Sequence, residues 1–237
     1  MHQGHRIAVV IPALNEEQAI GRVVADMPAF VDRVVVADNG STDQTAAVAR
    51  AAGARVVTEP ERGYGAACLA ALAHIGDADI IVFMDGDYSD HAGDMQALVA
   101  PIVSGEADMV IGSRVLGRRE AGSLTPQQRF GNWLATTLIR LIWGVSYTDL
   151  GPYRAISTAA LGRLGMADRN YGWTVEMQIR AAIFGLRSQE VAVNYRRRIG
   201  QSKVSGTIMA GIKILSVIGR FAFAAKLAAV GPVKGGS

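Results

Sequence analysis

Two aspartates, Asp85 and Asp87, flank a single glycine at the end of the apolar run Ile80-Ile81-Val82-Phe83-Met84. Carboxylates two positions apart at a strand end can converge on one hard divalent cation, and a cation there bridges the oxygens of a diphosphate. Gly86 between them lets the backbone approach a ligand closely. The triplet alone also reads as a solvated turn, so its chemistry depends on what the neighbouring strand ends carry. Asn15-Glu16 follows the first apolar run and Asp38-Asn39-Gly40-Ser41-Thr42-Asp43 the second. Helix capping accounts for Ser41, Thr42 and Asp43. It does not account for Asp38 and Asn39, and a carboxylate placed there can accept from a pyrimidine imide or a ribose hydroxyl. At Glu61-Arg62-Gly63-Tyr64-Gly65-Ala66 an arginine and two glycines lead into a helix. The amides of that helix start could meet an anion, or the segment is a flexible turn.

The elements that must position these groups are legible. Strands are expected at Ile7–Ile11, Arg33–Ala37, Ala54–Thr58, Asp79–Met84 and Met109–Gly112. Helices are expected at Glu16–Met27, Asp43–Ala52, Gly65–His74 and Gly93–Val103. Continuous apolar strands alternating with helices predict an α/β fold, a mainly parallel sheet covered on both faces. Ligands in such sheets sit beyond the carboxyl ends of the strands, where every polar cluster above lies. Further on come a charged glycine loop (residues 117–123), a helix from Pro126 to Trp143, a strand at Tyr153–Ile156, helices near Ser157–Leu164 and Trp173–Phe184, and a late strand at Ser188–Asn194. Trp133 and Trp143 read as core, with a membrane boundary as the alternative. Ile208–Val230 reads as an amphipathic helix that either packs on the core or lies on an anionic leaflet.

Composition bounds the class. The chain has 237 residues, half of them hydrophobic and 19% charged, which suits one globular domain and excludes disordered or disulfide-stapled chains. The single cysteine, Cys68, reads as a buried helix residue in a reducing, cytoplasmic setting. The longest run without Asp, Glu, Lys or Arg, Gly63–Gly76, has 14 residues, too few to span a bilayer. From Leu186 onward nine Lys and Arg face one acid, so the net charge of +3 conceals a basic end and an acidic front. Arg196-Arg197-Arg198 is either a solvated run or, with Lys203, a phosphate grip. Nucleic acid is not expected, because no aromatics interleave the cations. The four histidines do not form a metal set.

The ordered series Pro12-Ala13-Leu14-Asn15-Glu16, Asp38 to Asp43, Arg62-Gly63-Tyr64-Gly65-Ala66, Met84-Asp85-Gly86-Asp87 and Gly112-Ser113-Arg114 resembles family 2 inverting glycosyltransferases of the GT-A (Rossmann-like) fold. Within these it resembles the polyprenyl-phosphate sugar synthases, such as the dolichol-phosphate mannose and glucose synthases. Arg129 followed by Asn132, then Thr148 to Arg154, resembles that group's arginine and asparagine helix and its Asp-x-x-Ser-Gly-Phe-Arg turn, with Gly151-Pro152-Tyr153 as a departure. Trp173-Thr174-Val175-Glu176-Met177 resembles its Glu-Met helix. Arg197 to Lys203 resembles its Arg-x-x-Gly-x-Ser-Lys loop, one residue shorter. The bilayer-anchoring helices of many relatives have no counterpart.

The resemblance implies a metal-dependent hexosyltransferase working from a nucleotide diphosphate sugar, UDP-hexose in preference to GDP-mannose, on a polyprenyl phosphate. Pro12, Ala13, Asn15, Glu16 and Asp38 would border the nucleoside. Asp85, Gly86 and Asp87 would meet Mg²⁺ or Mn²⁺ and the diphosphate, with Asp87 the direct ligand. Arg62, Arg114, Arg129, Arg197 or Arg198, and Lys203 would gather around phosphates. Glu176 would touch a sugar hydroxyl or serve as base for an alcohol acceptor, unless it only pairs with Arg180. A lipid phosphate is already anionic, so positioning would outweigh base catalysis. Residues 1–205 are expected to be the catalytic domain and 206–237 a membrane-interfacial helix and tail, giving a peripheral protein compatible with a homo-oligomer. The rivals are a soluble transferase using a small hydroxylated acceptor and a catalytically silent nucleotide-sugar-binding protein.

Overall fold

The computed structural model describes residues 1–200 and 208–229, and within the last helix the side chains at 211 and 214–223. Seven strands form one sheet: β1 (Ile7–Ala13), β2 (Arg33–Asp38), β3 (Arg55–Thr58), β4 (Ile80–Phe83), β5 (Met109–Ser113), β6 (Arg154–Ser157) and β7 (Ser188–Ala192). Their order is β3-β2-β1-β4-β6-β5-β7. All neighbours run parallel except β6, which lies antiparallel between β4 and β5. The central strands are buried along their whole length, because successive side chains enter two different apolar layers. Ala8, Val10, Ile81 and Phe83 face one layer, and Ile7, Val9, Ile80 and Val82 the other.

Helices α1 (Ile20–Ala25), α2 (Thr45–Ala51) and α4 (Met95–Val103) cover the second face. Helices α3 (Tyr64–Leu72), α5 (Pro126–Trp143), α6 (Thr158–Leu164), α7 (Trp173–Ile183) and α8 (Ile208–Ala229) cover the first. Cys68 is buried on α3, as its alanine-rich setting predicts. Helix α5 begins with a capping box in which Thr125 and Gln128 satisfy each other's backbone N–H, with Pro126 behind the cap, and it ends at Gly144 in the left-handed region. Helix α8 packs on α5 and α7, burying Val217 and Ile218. Among the described residues no helix is long and apolar enough to cross a membrane.

One expectation about packing fails. Trp133 is 59% exposed, and Phe130 beside it 61%, so this turn of α5 faces outward instead of into the core. The buried stripe of α5 consists of the smaller residues Ala135, Thr136 and Ile139.

Candidate active site

A cavity of about 960 Å³ opens beyond the carboxyl ends of β1, β2 and β4. Its polar end is lined by Pro12, Ala13 and Glu16 after β1, by Asn39 after β2, and by Asp85, Gly86 and Asp87 after β4. Arg62, Arg114 and Arg198 close that end. The opposite end is apolar, with Phe130, Leu134, Ala135, Ile214 and Leu215 contributed by α5 and α8.

The aspartates crowd. Burial raises the Asp85 carboxyl, the neighbouring charge of Asp87 raises it further, and together they bring its pKa to about 7. Tyr64 donates to Asp85 Oδ1 at 3.2 Å. Asp87 is 3% exposed, and its Oδ2 meets Arg198 Nη2 at 2.8 Å. Ser89 donates to the other oxygen from its backbone N–H at 3.0 Å and from its hydroxyl. Behind them Asp90 is fully buried, accepts from the Asp85 N–H at 3.2 Å, and has an Oδ1 with no hydrogen-bond partner.

Two crowded carboxylates, of which only Asp87 is paired with an arginine, suit a divalent cation. No group of three His, Cys, Asp or Glu among the described residues could hold a metal by itself. That donor set fits a hard cation that keeps its waters and completes its shell with substrate phosphates, because such ions need only one or two protein carboxylates.

The flanking loops are interlocked. Asn15, in the left-handed region at φ 52°, donates its N–H to Ser41 Oγ at 2.9 Å and accepts from the Thr42 N–H at 2.8 Å. Glu16 donates its N–H to Thr45 Oγ1 at 2.7 Å, while Asp43 accepts from the N–H of Glu17 and of Thr45. Asn15 therefore ties the β1 loop to the β2 loop and does not line the cavity. Asp38 sits one residue behind the lining Asn39, with its Oδ1 accepting from the Ser41 N–H at 3.1 Å. Asn39 holds the third loop by donating to the carbonyls of Glu59 and Glu61 and accepting from the Gly63 N–H at 2.8 Å.

The anion reading of the glycine segment does not survive. Gly65 and Ala66 donate their N–H groups to the carbonyls of Asn170 and Arg169, so this helix start is capped by protein. The two glycines serve close approach, because a Cβ on Gly63 or Gly65 would collide with the Arg169 or Asp168 carbonyl. Arg62 still lines the cavity, with its Nη2 donating to the Gly40 carbonyl at 2.9 Å.

Glu176 is also relocated. It is fully buried outside the cavity lining, pairs with Arg180 Nε at 2.8 Å, and accepts from the N–H of Ala167 and Asp168. These bonds shape the loop that brings Asn170 and Tyr171 to the cavity wall. Arg114 reaches the cavity but is gripped through Nε and Nη2 by both oxygens of Asp149 at 2.8 and 2.7 Å. Burial works against that guanidinium's charge, and the Asp149 carboxylate overrides it. Arg129 is exposed on the outer side of α5, in a shallow hollow with Pro126, Phe130 and Trp133, away from the aspartates. Of the paired arginines, Arg198 faces Asp87, while Arg197 donates its Nε to the Ala121 carbonyl and its backbone N–H to Glu120 Oε2. Lys203 lies outside the described residues.

Sequence reasoning missed Asn170, Tyr171 and Tyr195 as cavity residues, and missed the contact of Arg198 with Asp87. No local signal could have found the loop, since a glycine pair that admits a crossing chain reads in sequence like one that opens a turn.

The family model described as Glycosyl transferase family 2 matches residues 8–165. An uncharacterised glycosyltransferase of Mycobacterium tuberculosis is 40% identical over 211 residues, covering 88% of this chain and 94% of that protein. A dolichyl-phosphate hexose transferase of Haloferax volcanii is 32% identical over 201 residues, covering 84% of this chain and 86% of that protein. Among solved structures, glucosyl-3-phosphoglycerate synthase of Mycobacterium tuberculosis, in complex with Mn²⁺, UDP-glucose and phosphoglyceric acid, superposes with a TM-score of 0.74 at 26% identity. That superposition covers 93% of this chain and 80% of the synthase.

Proposed function

The chain belongs to glycosyl transferase family 2 and has the GT-A fold, and from that premise we propose that it moves a hexose from a nucleoside diphosphate sugar to the phosphate of a polyprenyl-type lipid. The observation that carries this reading is the two-sided cavity, with acidic and basic groups at one end and the apolar side chains of α5 and α8 at the other. A nucleotide sugar alone would not need that apolar half. The relative named as a dolichyl-phosphate hexose transferase supports the lipid phosphate, and the solved synthase with Mn²⁺ and UDP-glucose supports the donor and the metal.

In this reading Glu16 and the Asp38–Asn39 strand end border the nucleoside, while Arg62 and Arg114 face the diphosphate. A divalent cation held by Asp87, with Asp85 beside it, would neutralise the charge that develops on the departing diphosphate. Arg198 and Lys203 would hold the acceptor phosphate in line with the anomeric carbon. The attacking oxygen is already anionic, so orientation replaces proton abstraction, in keeping with a Glu176 that is committed elsewhere. Inversion follows from a single displacement at that carbon.

A second reading rests on the solved synthase, whose complex includes phosphoglyceric acid. It puts a small phosphorylated acceptor in the polar end. Incubating the purified chain with Mn²⁺ and UDP-glucose or GDP-mannose, against a short polyprenyl phosphate and against 3-phosphoglycerate, separates the two by mass spectrometry of the products. Glycosylation of the polyprenyl phosphate is expected. Transfer to phosphoglycerate alone would establish the second reading.

A further inference from the structure

The outward face of α5 carries an apolar row that the fold leaves uncovered. Phe130, Trp133 and Leu141 are 61%, 59% and 71% exposed and recur with Thr137 on one side of the helix, opposite the buried Ala135, Thr136 and Ile139. The rings of Phe130 and Trp133 lie 5.7 Å apart. Arg129 and Arg140 are exposed along one flank of the row, and neither α5 nor α8 contains an acidic residue. Phe130 also lines the cavity, as does the half-exposed Leu215 across from it on α8, so the row is continuous with the apolar mouth of the site.

We propose that this face of α5 is a membrane-docking surface, which seats Trp133 and Leu141 at the acyl boundary of an anionic leaflet while Arg129 and Arg140 contact its headgroup phosphates. Aromatic rings with one wet edge favour that depth, and long basic side chains reach up from it to the phosphates. The absence of acids on both helices removes the repulsion that would otherwise oppose an anionic surface. A second copy of the chain would meet the same arginines, and like charges would face each other across a two-fold contact. The docking surface deepens the polyprenyl phosphate reading, since it brings the cavity mouth to where such a lipid resides, yet the two stand or fall by separate measurements.

The test uses the full chain and vesicles of phosphatidylcholine with about one third phosphatidylglycerol. The protein should sediment with them at low salt, and vesicles containing brominated acyl chains should quench its tryptophan emission. Trp133→Phe should keep sedimentation and lose most of the quenching, because Trp173 is buried and Trp143 half-buried. The double variant Trp133→Ser/Leu141→Ser should partition at least about ten-fold less, with UDP binding by calorimetry unchanged. Arg140→Gln should weaken sedimentation and its salt dependence together. The proposal is overturned by a chain that ignores these vesicles, by quenching that survives Trp133→Phe, or by a vesicle-free dimer that the double variant dissociates. Vesicle docking with no transfer to polyprenyl phosphate would leave the surface standing and remove the acceptor reading, and transfer without docking would do the reverse.

Discussion

The carboxylate of Asp87 is where the residue-level chemistry concentrates, and it has no idle atom: Arg198 holds one oxygen and Ser89 the other. Asp87→Asn removes the charge that both a cation and Arg198 require, and it should lower turnover by about a hundred-fold or more while the far-ultraviolet circular dichroism is unchanged. Chelation of the unmodified chain should abolish transfer, and Mn²⁺ should restore it. Glu176 predicts differently. Because its oxygens serve Arg180 and two backbone N–H groups, Glu176→Gln should cost about 1–3 kcal/mol in urea unfolding yet leave the pH profile of turnover in place. Loss of the acid-side limb of that profile would instead make it the base. The aspartate pair was legible because strand, turn and carboxylates are neighbours in sequence. The partner of Asp87 was not, since nothing local distinguishes Arg198 from Arg197, and only the crossing of two distant loops selects it.

At the scale of elements, the extent of α5 from about Pro126 to Trp143 was readable from its proline and its apolar residues, while the Thr125 cap and the left-handed Gly144 that fix its ends came from the structure. The first helix was overextended: Glu16 to Ala19 spend their backbone on a turn and on the β2 loop, so α1 starts only at Ile20. The glycine pair before α3 was misread for the same reason, a tertiary contact that local chemistry does not announce. Gly65→Ala would drive a methyl group into the Asp168 carbonyl, and it should destabilise the chain by about 2 kcal/mol or more while raising the KM for substrates that touch Asn170 or Tyr171. The link between β5 and the turn before β6 is the Arg114–Asp149 pair. Removing one partner leaves a buried charge, so Asp149→Asn should cost about 3–5 kcal/mol at neutral pH. Burial works to raise the Asp149 carboxyl, but the Arg114 guanidinium outweighs it and holds it below the ordinary range. Its stabilisation is therefore complete above the unfolded carboxyl pKa of about 4 and fades as pH falls through the lower folded value. Urea midpoints of the two proteins, compared from neutral to acid pH, should converge on that side only.

For the whole molecule, the parallel sheet covered on both faces was plain from apolar runs alternating with helices, and the site's place beyond the strand ends came with it. The sheet's order did not, because Arg154–Ser157 carries the same pattern whichever way it runs and wherever it is inserted. That insertion governs how the chain must assemble. Strands β1 to β4 pair among themselves through nearby stretches of chain, whereas β5 joins them only through β6, which is made much later. Until residue 157 is available, β4 and β5 each present a bare row of amides and carbonyls, and closing the gap requires a long loop to be drawn in first. In pulsed hydrogen exchange during refolding, amides of β1 and β2 should therefore gain protection before those of β5 and β6. A nascent chain paused ahead of β6 would carry the open edge of β4 and both edges of β5 at once, since β7 is made later still, so the wait for the strand that joins the two parts of the sheet is also the interval of greatest exposure to misassembly.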